Sequence, residues 1–129
     1  MTSGYFRTAH AVLLVYDSTD LETLLSLKQR WVKNCLSYCS PNALYFVVGT
    51  KIDETADIEV DQNKAKAYFE NEEIKIQDFF RISTKMNTNF DSFIQSIIEH
   101  LMNNNGKRPR KTTVSLKAHY EEKSKCACK

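Results

Sequence analysis

Residues 45–53 read YFVVGTKID. An aromatic and β-branched run stops at Gly49 and carries Lys51 and Asp53 just past its end, as a buried strand does when it delivers polar residues to a sheet edge. Two further runs have the same character: AVLLVYD at 11–17 and DFFRIS at 78–83. The run at 11–17 and the one at 44–49 barely alternate, which predicts burial on both faces. Helical spacing fills the intervals. Thr19 and Glu22 have the spacing of a capping box, and Leu24, Leu27, Trp31 and Cys35 follow on one face until Pro41 stops the helix. A second helix is expected over 61–72, with Ala65, Tyr68 and Phe69 inward. A third over 90–102 places Phe90, Phe93, Ile94, Ile97, Ile98, Leu101 and Met102 on one stripe, with Gly106 as its terminal cap. Strand and helix therefore alternate, which predicts an α/β fold of three parallel strands with three helices. The working edge of such a sheet lies at the strand C-termini. Lys51 and Asp53 fall on that edge, and so do Ser83, Thr84 and Lys85.

Charge divides the 129 residues. Residues 1–105 carry 10 basic and 14 acidic side chains, whereas 106–129 carry 8 basic and 2 acidic. The first part is expected to be one domain and the second a disordered basic tail, drawn to anionic surfaces. The sequence has neither an apolar run of membrane-spanning length nor a leader-like start, so a cytoplasmic protein with its four cysteines as thiols is expected. Cys35 and Cys39 are helix neighbours, but no His or Cys stands at zinc-finger spacing beside them, and no metal site is expected.

The chemistry of the converging loops is that of a flat heterocycle. Two carboxylate oxygens of Asp53 match two parallel N–H donors, which guanine offers and adenine does not. Lys51 can lay its methylenes along such a ring while its ammonium stays solvated or meets a loop carbonyl, and amides of the 83–85 loop can meet the base oxygen. On residue types alone, a solvated pair of loop charges is the competing reading.

Three segments, TSGYFRTAHAVLLVYDSTD (2–20), VVGTKID (47–53) and ISTKM (82–86), resemble in order and spacing the small GTPases of the Rab branch of the Ras superfamily. The resemblance covers roughly 2–104 and implies a partial G domain of the P-loop NTPase type. In it Thr50, Lys51, Asp53, Ser83, Thr84 and Lys85 would contact the guanine base of GTP or GDP, with Mg2+ as the cofactor of complete members. Thr50 stands where asparagine is usual, Thr84 where alanine is usual, and Arg81 where glutamate is common. The phosphate-gripping G-x-x-x-x-G-K-[ST] does not occur among the three glycines present, and the D-x-x-G and the magnesium-binding switch threonine are likewise not found. A truncated chain is therefore expected, with a place for the base and none for the phosphates, no catalytic residue and no metal ligand. It would bind nucleotide weakly or not at all.

The terminal KSKCACK resembles the double-cysteine end of Rab proteins, which implies lipidation at Cys126 and Cys128 and attachment to the cytosolic face of intracellular membranes. Val114 and Leu116 have the apolar-x-apolar form that engages the Rab escort protein, and trafficking effectors would be further partners; nucleic acid is not an expected one. Two readings of other classes stand beside this: a lipidated interaction fragment that binds no nucleotide, and a receiver- or flavin-type α/β domain, for which the acidic cluster or phosphate loop is lacking.

Overall fold

The computed structural model describes residues 3–104. A short helix, α1 (Ser3–Thr8), leads into β1 (Ala11–Asp17). Helix α2 (Leu21–Ser26) continues through one π-helical turn, Leu27–Trp31, into α3 (Val32–Tyr38). Then follow β2 (Leu44–Thr50), a 3-10 turn at Thr55–Asp57, α4 (Gln62–Phe69), β3 (Ile76–Arg81) and α5 (Phe90–Asn104). All strand pairings are parallel in the order β1-β2-β3, with Ala11 opposite Leu44 and Asp17 opposite Thr50. The α/β architecture with three parallel strands is as the sequence predicts; α1 is a helix beyond the three expected. The expected helix cap at Gly106 and the tail from residue 106 lie outside the described residues.

The central strand explains the core. Every residue of β2 from Leu44 to Gly49 is buried, because helices cover both of its faces. On one face Leu14, Tyr16, Tyr45 and Val47 pack with Leu24, Leu27, Val32, Cys35, Val60, Ala65 and Phe69 from the helices and loops. On the other, Val48, Ile82 and Phe93 form a smaller cluster, joined by Phe80, Phe90 and Ile97, and Phe46 meets the His100 ring edge-on at 5.3 Å.

Five expectations change. β1 is not buried on both faces: Leu13 is 43% and Val15 49% exposed, because β1 is the sheet edge and the rings of α5 pack over β2 and β3. The α5 stripe is only partly inward for the same reason, since Phe93 is buried while Ile94, Ile98 and Met102 are exposed. The strand expected at 78–83 begins at Ile76, which pairs with Tyr45, and ends at Arg81, where the chain turns. Thr19 is not a helix cap. Asp20 caps α2 by accepting from the Glu22 amide at 3.0 Å, and the amide and hydroxyl of Thr19 both donate to Asp17 Oδ1, at 2.9 and 2.7 Å. The helix also ends at Tyr38, ahead of Pro41, because Cys39 is already extended.

Of the two glycines among the described residues, Gly49 is the one at which a side chain is excluded. A Cβ there would lie 2.6 Å from Tyr16 Oη, 2.7 Å from Tyr16 Cζ and 3.0 Å from Ser18 Oγ, so the tyrosine ring crosses β2 through the space that glycine leaves.

Candidate functional site

β2 and β3 end side by side, and the loops that follow them are tied together. The Ile82 amide donates to Gly49 O at 2.8 Å, extending the sheet bonding past the end of β3. Beyond it, Ser83 and Thr88 exchange backbone hydrogen bonds of 3.1 and 2.9 Å, closing residues 84–87 into a tight loop. Asn87 and Asn89 take left-handed backbone angles there, φ 52° and 60°, which asparagine tolerates better than most residues. Ser83 is buried, and its hydroxyl donates to Asp53 Oδ1 at 2.6 Å while accepting from the Met86 amide at 3.2 Å. The hydroxyl bond thus couples the β2 loop to the β3 loop, beside a longer one of 3.5 Å from the Ile52 amide to Ile82 O. The Ser83 hydroxyl bond, ahead of smaller contributions from the Asp53 amide and the charges of Lys85 and Lys51, holds the Asp53 carboxyl below its ordinary pKa against the opposing effect of desolvation.

Lys51 has φ 59°, an unusual backbone for a residue with a side chain, and its ammonium is paired with Asp17 Oδ2 at 2.8 Å. The partner is a carboxylate at the end of β1 rather than the water or loop carbonyl expected. This ion pair and the two Thr19 bonds lower the Asp17 pKa to about 2, with burial acting the other way. Asp17 raises the Lys51 pKa in turn, aided by the charges of Glu54 and Asp20. Thr50 points back into the fold: its hydroxyl donates to Tyr16 O at 3.0 Å, and its carbonyl accepts from the Ser18 amide at 3.1 Å. Thr84 and Lys85 are exposed on the rim, so the branched Thr84 side chain does not crowd the loop interior. Arg81 Nε is shielded from solvent and has no hydrogen-bond partner among the described residues.

Asp53, Ser83 and Lys51 therefore gather on one edge with Thr84 and Lys85 around them, and Thr50 stands behind them as a strut. Sequence reasoning passed over Asp17. Its signal was present in YDSTD at 16–20, an aspartate at the end of a strand neighbouring the one that delivers Lys51. The lipidation residues Cys126 and Cys128 lie outside the described residues.

The Ras family model matches residues 1–103. This chain belongs to the Ras family. It is Rab-like within that family: it is 32% identical over 103 residues to Ras-related protein Rab-1A of Dictyostelium discoideum, covering 80% of this chain and 49% of that protein. It is 31% identical over 127 residues to Rab-1D of the same organism, covering 96% and 60%. It is 30% identical over 132 residues to GTP-binding protein YPTM2 of Zea mays, covering 98% and 63%. The chain thus spans about half to three-fifths of the length of these curated relatives. Membership implies guanine-nucleotide binding as the family's property. No helix among the described residues is long and apolar enough to cross a membrane.

Proposed function

We propose that the edge built by Asp53, Ser83 and Lys51 is a guanine-base site, with Thr50, Thr84 and Lys85 completing it. The observation that carries this is the 2.6 Å bond from Ser83 to Asp53, which fixes the carboxylate in one orientation and leaves Oδ2 and the second lone pair of Oδ1 for two ligand N–H groups. The amides of Thr84 and Lys85 donate to no protein acceptor among the described residues, so they suit the base oxygen. The whole-protein role that accords with this is a Rab-like switch that binds GTP with Mg2+, hydrolyses it slowly and recruits trafficking effectors. In this reading 1–105 is the C-terminal portion of the G domain. The tail at 106–129 is lipidated at Cys126 and Cys128, with the escort and prenylation machinery as partners, on the cytosolic face of intracellular membranes. Neither phosphate nor Mg2+ has an evident grip in the sequence given, so base recognition by this chain is expected to be weak. Saturation-transfer NMR detects weak binding, and competition of GDP against ADP on the full chain tests the site. GDP is expected to win; equal displacement by the two would end the base-site reading.

A second reading, an interaction fragment that binds partners without nucleotide, is favoured by a different observation: the exposed apolar residues Leu13 and Val15 on the free edge strand and Ile94, Ile98 and Met102 on α5. Detectable GDP binding would count against it.

A further inference from the structure

We propose that Asp17 is a positioning residue of the base site, holding the Lys51 ammonium at the end of β1 so that the lysine methylenes form a preset surface for a planar purine base. This rests on the base-site reading and adds to it a residue from a third loop.

Asp17 is itself firmly fixed. Its amide donates to Thr23 Oγ1 at 2.9 Å, and its carbonyl accepts from the Asp20 amide at 3.1 Å. Its Oδ1 takes both bonds from Thr19, which leaves Oδ2 for Lys51 alone. A carboxylate held on one side by a local turn presents its other oxygen in a defined direction, and a lysine captured by it gives up much of its rotamer freedom before any ligand arrives. Lys51 needs such a partner. Its side chain is 56% exposed, and Asp17 is the one side chain that bonds its ammonium among the described residues; the Glu54 amide holds only the Lys51 carbonyl, at 3.2 Å, and the side chains of Glu54 and Asp20 act on the ammonium through their charge. Neutralising the ammonium within the protein also suits an uncharged ring, which gains from contact with methylenes and gains little from a bare cation at its edge. The other ion pair among the described residues, Lys28 with Glu72 at 3.1 Å, joins the π-helical turn to the loop after α4, away from these loops, and is a built-in control.

The test uses the full chain and its Asp17→Asn, Thr19→Ala and Glu72→Gln variants. In the nucleotide-free protein, the Lys51 side-chain NMR signal of the parent is expected to report Asp17 protonation, with a midpoint near pH 2, and to lose that response in Asp17→Asn. GDP and ADP are then compared on each variant. Loss of one charge-assisted contact predicts GDP binding weakened by about tenfold in Asp17→Asn, by less in Thr19→Ala, and unchanged in Glu72→Gln. An unaltered Lys51 signal in Asp17→Asn, or unaltered GDP affinity there while the parent prefers GDP, overturns the proposal. A parent that does not prefer GDP to ADP refutes the base site and with it the function assigned to Lys51. The NMR titration then shows separately whether Asp17 holds the lysine at all.

Discussion

The two faces of this sheet are covered unequally. Under α2, α3 and α4, side chains from all three strands join one continuous cluster in which Leu24, Val60 and Ala65 are wholly shielded. Under α5 the cluster is small, and Leu13 and Val15 of β1 project past its cover into solvent. The same strand thus has a finished face and an unfinished one. An apolar pattern states what a segment can bury, while the neighbours available decide what it does bury. The base-site residues lie past the C-terminal ends of the strands, whereas the long outer edge of β1 has no strand partner among the described residues, which leaves its backbone groups open to a further strand.

Paired truncations separate the two faces most strongly. Leu24→Ala, on the finished face, is expected to cost about 2–5 kcal/mol in urea unfolding, and Ile98→Ala, half exposed on the other, well under about 1 kcal/mol. Equal costs would mean that something covers the α5 face in solution. Sedimentation sharpens the point, since an apolar strand edge without a guarding charge invites self-pairing. Concentration-dependent association is expected, and Val15→Lys should reduce it; a parent that stays monomeric at all concentrations would contradict the edge argument.

A smaller effect is expected where the ring of Tyr16 crosses Gly49. Gly49→Ala should destabilise by about 1–3 kcal/mol through overpacking. Tyr16→Phe should not rescue it, because the phenylalanine Cζ would remain at the position now 2.7 Å from the added methyl. Rescue would mean that the hydroxyl alone makes the clash. The smallest effect belongs to the exposed ion pair. Since the Asp17 pKa falls from 3.8 to about 2 on folding, its contribution to stability is present above about pH 4 and is lost as pH falls through 2. The acid-unfolding curves of the parent and Asp17→Asn should converge over that window; a constant separation down to pH 2 would show that the pair is not formed.

Much of this architecture is legible in the sequence, for reasons that can be named. The 44–49 run is apolar throughout because both faces are covered, and the parallel order follows from helices between strands. Lys51, Asp53 and Ser83 could be placed on one edge because strand ends and loops are marked by Gly49 and by the shift to polar residues. What could not be read is how side chains share partners across loops. The Ser83–Asp53 bond depends on the Ser83–Thr88 closure, and the capture of Lys51 by Asp17 depends on a strand register that aligns residues 17 and 50. The partial exposure of β1 and of the α5 stripe was equally hidden, since an edge strand and a central one here are alike in apolar character.

The measurement that bears most directly on the base site is a comparison of GDP with XDP on the parent chain and on Asp53→Asn, by saturation-transfer NMR. A carboxylate accepts from the exocyclic amine of guanine, whereas the amide of asparagine can donate to the oxygen that xanthine carries in its place. On the base-site reading, the parent prefers GDP and Asp53→Asn loses this preference or reverses it toward XDP. An Asp53→Asn chain that still discriminates in favour of GDP as strongly as the parent would contradict it.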